Sequence, residues 1–275
     1  MKINLNGKLI PHNQPIFSAS NRAFLYGDAL FETIRMFDGK LSFLEDHVNR
    51  LLRGLDFFHY KIPKKYTTKF FQKEIKKIAD GNARIRLTVF RTDGGLYTPK
   101  NNKPQFLISA SPLPDATFQL HTKGLEMGIF RGVSLARQPI SNHKTCNSLP
   151  YIRAAIFKKE QNLNDVFLLN DKGRIAEASS SNVFIFKKNQ LITPSLSEGC
   201  ITGTMRLQII RIAQQLGIKV LEKKVTLATL EASDEIWLTN SIQGIRWVAE
   251  IPTIVSLRTP TLVQPFVHHL NLLTN

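Results

Sequence analysis

Alternating apolar and polar positions mark a strand in the run ARIRLTVFR. Its two faces separate cleanly: Ile85, Leu87 and Val89 on one, and Arg84, Arg86 and Thr88 on the other. Arg91 follows in phase with the apolar face, beside a glycine turn. Because burying an unpaired charge is costly, we predict that its guanidinium group either reaches solvent or meets an anion.

Apolar positions at helical spacing appear in three segments, LSFLEDHVNRLLRGLDFF, KKYTTKFFQKEIKKI and TGTMRLQIIRIAQQLG. Each pattern predicts an amphipathic helix with one buried face. The predicted buried residues are Val48, Leu51, Leu52, Leu55 and Phe58 in the first helix, Phe71, Ile75 and Ile78 in the second, and Met205, Ile209, Ile212, Ala213 and Leu216 in the third.

The ends of these helices carry their own signals. Ser42 and Glu45 have the spacing of a capping box at the start of the first helix. Arg50 lies off its apolar stripe, where an arginine is normally solvated. The third helix is expected to begin at Thr202, as its N-cap, and to end at Gly217. A helix start favours a phosphate because its N–H groups and dipole end are positive.

One lysine and one glutamate in the second half have a chemical meaning together. Lys144 lies in a polar, turn-rich segment before a helix expected near Pro150, and Glu177 lies 33 positions later, between the strands VFLL and NVFIF. Pyridoxal 5′-phosphate (PLP) needs an amine for its Schiff base, an acidic partner for its ring nitrogen and a cradle for its phosphate. The pair suits that cofactor.

Motifs along the chain extend this interpretation. Five motifs occur in this order along the chain: SNRAFLYGDALFETIR, LSFLEDHVNRLLRGL, KTCNSL, DKGRIAEASSSNVF, and LITP with ITGTMR. The set resembles the fold-type IV PLP enzymes, the class IV aminotransferase family, over about residues 1–250. That family includes branched-chain aminotransferases, D-amino-acid aminotransferases and aminodeoxychorismate lyases.

The resemblance implies roles for individual residues. Lys144 matches the Schiff-base lysine, Glu177 the partner of the pyridine nitrogen, and Arg50 an arginine that holds the cofactor phosphate. Ile201 and Thr202 match a pair that binds the phosphate through backbone N–H groups and a hydroxyl. The remaining cofactor-side residues implied by the resemblance are Ser181, Asn182, Asn240 and Ser241.

Substrate-binding residues are predicted in the first half. Tyr26 and Phe31 are expected to line the pocket, although aromatic residues after a turn are more often part of a core. We predict that Arg91 binds a substrate carboxylate in a bidentate pair. Arg86 is the second choice, since its position resembles that of a strand arginine near the substrate pocket of branched-chain enzymes.

The motifs identify the cofactor class better than the substrate. The D-amino-acid enzymes have an arginine and a histidine where this chain has Leu96 and Thr98, and branched-chain enzymes have a tyrosine at Leu149. Thr33 in FETIR resembles the lyase opening. We predict an aminotransferase acting on an amino acid and a 2-oxo acid; the alternatives are an aminodeoxychorismate lyase and a non-catalytic basic binding protein on the same scaffold.

The predicted architecture is α+β with two domains. A small N-terminal α/β domain covers residues 1–113, a linker residues 114–123, and a larger cofactor-binding domain of β-barrel-like form with helices residues 124–275, as in D-amino-acid aminotransferases. Two prolines in SPLPDATFQLHTKG mark the boundary. At 275 residues, 43% of them hydrophobic, the chain can bury one large core or two smaller ones. The resemblance also implies a homodimer.

Charge and cysteine content bear on partners and location. The net charge of +16 could attract nucleic acid, but the most basic segment reads as a solvated helix face and no zinc or RNA-binding signature accompanies it. We expect no nucleic-acid, membrane or metal partner. Cys146 and Cys200 are too few for a disulfide framework, and no signal-like apolar run opens the chain, so we predict a cytoplasmic protein.

Overall fold

The computed structural model describes residues 2–274, which group into two units. The first unit contains the chain up to Thr117, the segment His143–Asn147 and Thr274; the second contains Phe118–Asn142 and Ser148–Leu273. The change at Thr117 lies inside the segment predicted as a linker. In contrast to the predicted boundaries, the segment that carries Lys144 groups with the first unit, because its backbone bonds to a strand there.

The first unit is built on an antiparallel sheet with the strand order β2-β1-β6-β5-β3-β4. Its strands are β1 (Lys2–Leu5), β2 (Lys8–Pro11), β3 (Ala29–Phe37), β4 (Lys40–Leu41), β5 (Ala83–Arg91) and β6 (Pro104–Pro112). Its helices are α1 (Arg22–Tyr26), α2 (Leu44–Phe57) and α3 (Thr68–Lys76).

One face of this sheet packs on α2 and α3. The buried residues that meet there include Ile34, Met36, Val48, Leu51, Leu55, Phe71, Ile75, Ile85, Leu87 and Val89. Each such side chain contributes about 1.5–3 kcal/mol by leaving water. The predicted apolar faces of β5, α2 and α3 are therefore confirmed, with Leu52, Phe58 and Ile78 partly buried at the margin.

The predicted capping box of α2 is wrong. The N-cap is Phe43, which has a left-handed backbone and makes no side-chain cap bond. The Ser42 backbone N–H instead donates to the Arg35 carbonyl, so Ser42 still belongs to the turn from the sheet. The helix begins at Leu44, and Glu45 lies exposed in its first turn.

The second unit contains a mixed sheet with the order β12-β11-β10-β13-β14-β7-β8-β9, and β15 pairs with β14. Its strands are β7 (Leu125–Leu135), β8 (Asp165–Asn170), β9 (Ile175–Ala178), β10 (Asn182–Lys187), β11 (Gln190–Pro194), β12 (Lys219–Lys223), β13 (Glu235–Asn240), β14 (Gly244–Ile251) and β15 (Val255–Ser256). Its helices are α4 (Leu149–Glu160), α5 (Thr204–Gln215), α6 (Leu227–Glu231) and α7 (Val263–Thr274), with 3₁₀ turns at Pro139–Asn142 and Leu196–Glu198.

This sheet curls around its own core. Ile175 and Ala178 of β9, at one end of the strand order, share a buried cluster with Val183 and Ile185 of β10 and Ile192 of β11. Strands far apart in the order can meet in one cluster only if the sheet bends back on itself. The barrel-like α+β fold predicted for the second half is confirmed.

Helix α5 differs from the prediction at its first residue. It begins at Thr204 with Gly203 as N-cap, so Thr202 is not the N-cap. The Thr202 backbone N–H donates to the Asn142 carbonyl at 3.1 Å, which places Thr202 in the preceding loop. The end is as predicted, since Leu216 is the C-cap and Gly217, directly after it, takes the left-handed conformation. None of the described helices has the length and apolar character that crossing a bilayer requires.

Candidate functional site

Lys144 is held beside strand β3 in the first unit. The Phe31 N–H donates to the Lys144 carbonyl at 3.0 Å, and the Cys146 N–H donates to the Ala29 carbonyl at 2.9 Å. Thr145, between them, forms a bridge with Leu30. The polar, turn-rich segment that carries Lys144 therefore gains its order from β3, and the lysine backbone is fixed against the sheet.

Two cationic side chains contact the ring of Phe31. The Lys144 Nζ atom lies 4.6 Å from the ring centroid, and the Arg86 guanidinium carbon lies 3.9 Å from it. Such contacts attract a cation to the π face of the ring. The Cys146 thiol is beside them: burial raises its pKa, and Arg86 and Lys144 oppose that effect. Lys144, Phe31 and Arg86, three of the predicted site residues, are thus brought together.

Arg50 is buried, in contrast to the solvated position that is normal for an arginine off the apolar stripe of its helix. It is 7% exposed and donates from Nε to Glu32 Oε1 at 2.8 Å, with a second bond from Nη2 to Glu32 Oε2. His47 Nδ1 lies 2.6 Å from the same Oε2. The pattern of α2 could not reveal this, because the partner carboxylate belongs to β3.

The charge states of this buried group follow from its contacts. Burial alone raises the pKa of Glu32, but Arg50 and His47 outweigh it and bring the value to about 2. Burial lowers the pKa of His47, and the charges of Arg50 and Lys144 lower it further, against the pull of Glu32. Glu32 is therefore ionised at neutral pH, and a neutral His47 donates its Nδ1–H to it.

Arg91 meets an anion inside the protein. It is 5% exposed; its Nε donates to Asp28 Oδ2 at 2.9 Å, its Nη2 to the Phe58 carbonyl at 2.9 Å and its Nη1 to Asn102 Oδ1. Burial raises the pKa of Asp28, but bonds from Arg22 and Arg91 hold it below its usual value. Since every nitrogen of Arg91 is engaged, the prediction that Arg91 binds a substrate carboxylate is corrected.

Tyr26 contacts other residues of the first unit than Phe31 does. It ends α1, with the Arg22 guanidinium carbon 5.1 Å from its ring centroid and the Tyr97 ring 5.7 Å away. Tyr97 and Leu96 are almost fully exposed. The described contacts of Tyr26 are thus to Arg22 and the 94–99 loop, whereas Phe31 contacts the Lys144 side chain directly.

Glu177 is fixed inside the second unit. It lies within β9 rather than between strands, and it is 3% exposed. The Tyr151 hydroxyl donates to its Oε1 at 2.5 Å, and the Ile201 N–H donates to its Oε2 at 3.1 Å. Both oxygens of the carboxylate are thereby anchored, one to α4 and one to the loop before α5.

That loop is tightly built. Asn182 Nδ2 donates to the Ile201 carbonyl at 2.9 Å, and a Cβ at Gly203 would lie 1.8 Å from Asn182 Oδ1. Only glycine fits there. The N–H groups of Ile201 and Thr202 are engaged with Glu177 and Asn142, so the expectation that both contact a phosphate through their backbone is corrected.

The remaining predicted residues surround the start of α5. Asn240 Nδ2 donates to Ser181 Oγ at 3.0 Å, and the hydroxyls of Ser241 and Thr204 lie 2.8 Å apart. The first N–H groups of a helix have no partner within the helix. Hydroxyl groups and helix N–H groups together form the setting in which proteins bind phosphate.

Sequence reasoning missed Tyr151, Glu32, His47 and Gly203. For Glu32 a signal existed, because it falls in phase with the apolar Leu30 and Ile34 of β3. Tyr151 offered none, since its carboxylate partner is 26 positions away in another element. Within residues 2–274, no group of three or more His, Cys, Asp or Glu side chains forms a candidate metal site.

Comparison with known proteins agrees with this arrangement. The profile of the family described as amino-transferase class IV matches residues 29–251. The chain belongs to the class IV aminotransferase family. The members of this family are enzymes that use PLP, so the predicted family, enzyme class and cofactor are confirmed.

Individual relatives carry two different activities in their names. A putative branched-chain-amino-acid aminotransferase of Methanocaldococcus jannaschii is 31% identical over 259 residues, covering 91% of this chain and 88% of that protein. The aminodeoxychorismate lyase of Bacillus subtilis is 30% identical over 249 residues, covering 88% and 84%. The crystal structure of a branched-chain aminotransferase from Thermoproteus uzoniensis with norvaline has a TM-score of 0.87 at 25% identity, covering 98% and 93%.

Proposed function

We propose that this class IV enzyme is an aminotransferase that moves an amino group from an amino acid to a 2-oxo acid, with Lys144 as the lysine that binds PLP. The observation that carries the proposal is the buried Glu177 carboxylate, anchored at both oxygens beside the start of α5. A fixed carboxylate is what a protonated ring nitrogen needs as a partner.

The second unit fits the cofactor in two further respects. Gly203 leaves room for close approach to the N-terminus of α5, where a side chain would collide with Asn182. The hydroxyls of Thr204 and Ser241 lie at the same helix end. Asn240 precedes Ser241 in the chain, and its side-chain amide donates a hydrogen bond to Ser181 Oγ. We assign the phosphate to this end, with Thr202 contributing its hydroxyl.

The first unit supplies the amine and its surroundings. Bound PLP withdraws electrons from the substrate α-carbon, which makes the proton on that carbon removable. With PLP bound there, Lys144 Nζ would be the group that takes up this proton as general base and gives it back as general acid. Arg50, held rigidly by Glu32, is assigned to the cofactor phosphate as its cationic partner.

Arg86 replaces Arg91 as the proposed ligand of a substrate carboxylate. Its side chain is exposed, and it lies over Phe31, the same ring that Lys144 contacts. Arg84 lies two positions away on the same face of β5 and is also exposed. An anionic substrate group at Arg86 is therefore close to the amine that carries the proposed chemistry.

A lyase that releases pyruvate and 4-aminobenzoate from aminodeoxychorismate is the second candidate. It is favoured by the 30% identity to the B. subtilis lyase and by Leu149, which stands where branched-chain enzymes have a tyrosine. Both candidates use Lys144 and the same cofactor. We also propose, as expected from the sequence, that the protein is cytoplasmic and forms a homodimer.

The experiment offers three substrates to the PLP-loaded protein. L-leucine and D-alanine are each supplied with 2-oxoglutarate, and glutamate formation is measured; aminodeoxychorismate is supplied alone, and 4-aminobenzoate is measured. Glutamate formation from either amino acid supports the aminotransferase. Release of 4-aminobenzoate without any amino transfer contradicts it in favour of the lyase.

A further inference from the structure

Tyr151 makes a contact with Glu177 that the proposed roles leave unexplained. Its hydroxyl donates to Glu177 Oε1 at 2.5 Å, whereas Oε2 is already bound by the Ile201 N–H. Tyr151 lies in the first turn of α4, two positions after Leu149, and Glu177 lies in β9. The bond therefore joins two elements at the carboxylate assigned to the cofactor ring.

The tyrosine ring is held in place by packing. It lies against a buried cluster that includes Ala154 of α4, Val166 of β8 and Ala176 of β9. Ala154 is one helical turn from Tyr151, and Ala176 is adjacent to Glu177. A phenol ring that packs against this cluster has fewer rotamers available, which helps to keep its hydroxyl aimed at one oxygen.

The phenol also keeps its proton. Burial raises the pKa of Tyr151, and the negative charge of Glu177 raises it further. The hydroxyl is therefore a donor throughout the pH range in which an enzyme works. Hydrogen bonds donated to a carboxylate stabilise its ionised form and lower its affinity for a proton.

We propose that Tyr151 is a positioning residue that keeps Glu177 ionised and aimed, so that the proton shared with the cofactor ring nitrogen stays on the ring. This inference rests on the proposed function, since it takes Glu177 as the partner of that nitrogen. With two donors on the carboxylate, the proton is better held by the ring than by Glu177. A ring that keeps its proton draws electrons from the substrate more strongly.

The test compares Tyr151→Phe with wild type in the PLP-loaded full-length protein. The first readout is the pH midpoint at which the visible absorption band of lysine-bound PLP changes. A protonated ring lowers this midpoint by repelling a second positive charge, so the variant is expected to shift it upward by about half a unit or more. The second readout is kcat, expected to fall about tenfold while KM for the amino acid stays within about twofold.

Tyr60→Phe is the matched control. Tyr60 also donates its hydroxyl to a carboxylate, Asp28, which is not a residue assigned to the cofactor. Removing that hydroxyl is expected to change thermal stability without moving the absorption midpoint. An equal shift in both variants overturns the proposal, because it would reflect loosened packing rather than the bond to Glu177.

A second variant guards against misfolding of Tyr151→Phe. Replacing Tyr151 with 3-fluorotyrosine preserves the ring and strengthens the donor, so the midpoint is expected to move downward. In a Glu177→Gln background, neither change at position 151 is expected to shift the midpoint. A shift that persists in that background contradicts the proposed route through Glu177.

Failure of this inference is distinct from failure of the proposed function. A wild-type protein that shows no visible band with PLP overturns both. A wild-type band with the same midpoint in Tyr151→Phe, Tyr60→Phe and wild type overturns only the role of Tyr151 and leaves the cofactor site in place.

Discussion

At the scale of single residues, arginines of similar sequence context have opposite roles. Arg91 lies in phase with the apolar face of β5, and its guanidinium group donates hydrogen bonds to Asp28, Asn102 and the Phe58 carbonyl. Arg86, on the opposite face, is exposed beside Phe31 and Lys144. Burial with full pairing makes the first a structural residue, and exposure beside the proposed catalytic amine makes the second a candidate for substrate binding.

Substituting each arginine separates these roles. Arg91→Ala removes one of the two arginines paired with Asp28, together with the Arg91 bond to the Phe58 carbonyl, and is expected to lower the free energy of unfolding by about 3 kcal/mol. Arg86→Ala is expected to keep the stability and to weaken binding of a 2-oxo dicarboxylate about tenfold or more. Arg84→Ala is the neighbouring control on the same face.

Denaturant unfolding and equilibrium binding measure the two effects. If Arg91→Ala weakens oxo-acid binding at unchanged stability, or Arg86→Ala leaves binding as in wild type, the assignment is wrong.

At the scale of elements, the start of α5 depends on one glycine. Asn182 holds the loop through the Ile201 carbonyl, and its Oδ1 occupies the space into which a Cβ at position 203 would project. The backbone at Gly203 has a φ of −68°, so the glycine is needed for space and not for its conformational freedom.

Gly203→Ala is therefore expected to displace the loop and weaken PLP binding about tenfold or more. The control is Gly128→Ala in β7, where the new Cβ would lie 2.4 Å from the end of the Leu163 side chain, away from the residues assigned to the cofactor. Fluorescence titration with PLP measures both. Equal affinities for the two variants contradict the proposed phosphate position.

The contact of α2 with β3 is made by charges as well as by apolar side chains. Glu32 has a pKa of about 2 in the folded protein against 4.5 as its ordinary value. Its folded-state pKa is depressed, so its contribution is complete above about pH 4.5 and is lost as the pH falls towards 2.

Glu32→Gln is expected to cost about 3–5 kcal/mol at neutral pH, since Arg50 would remain buried with an uncharged partner. It is also expected to flatten the decline of stability between pH 4.5 and 2. Glu45→Gln, on the exposed side of the same helix, is the control. Urea unfolding across this pH range tests the claim, and an unchanged acid limb in Glu32→Gln contradicts it.

At the scale of the whole molecule, periodicity predicted the elements and their buried faces. The apolar stripe of α2 and the alternation of β5 both point into the observed core. Periodicity could not predict which side chains of different elements form hydrogen bonds with each other, as Glu32 does with Arg50 and Tyr151 with Glu177. Such bonds depend on which strand lies next to which helix, and a single helix or strand pattern contains no information on its neighbours.

The net charge of +16 is also a property of the whole molecule. A strongly basic protein attracts anions at long range, and salt screens this attraction. We expect kcat/KM for glutamate, which has a net negative charge, to fall several-fold between about 0.05 and 0.5 M NaCl, and that for leucine to change less. Equal salt dependence for the two amino acids contradicts a role of net charge in substrate capture.

The central claim is that Lys144 binds PLP, and an absorbance spectrum tests it most directly. Purified wild-type protein and Lys144→Ala are each mixed with PLP, freed of excess cofactor and scanned in the visible range. We predict a band near that of lysine-bound PLP in wild type and its loss in Lys144→Ala, with both proteins folded by circular dichroism. A band of equal intensity in the two proteins, or none in wild type, would contradict the account.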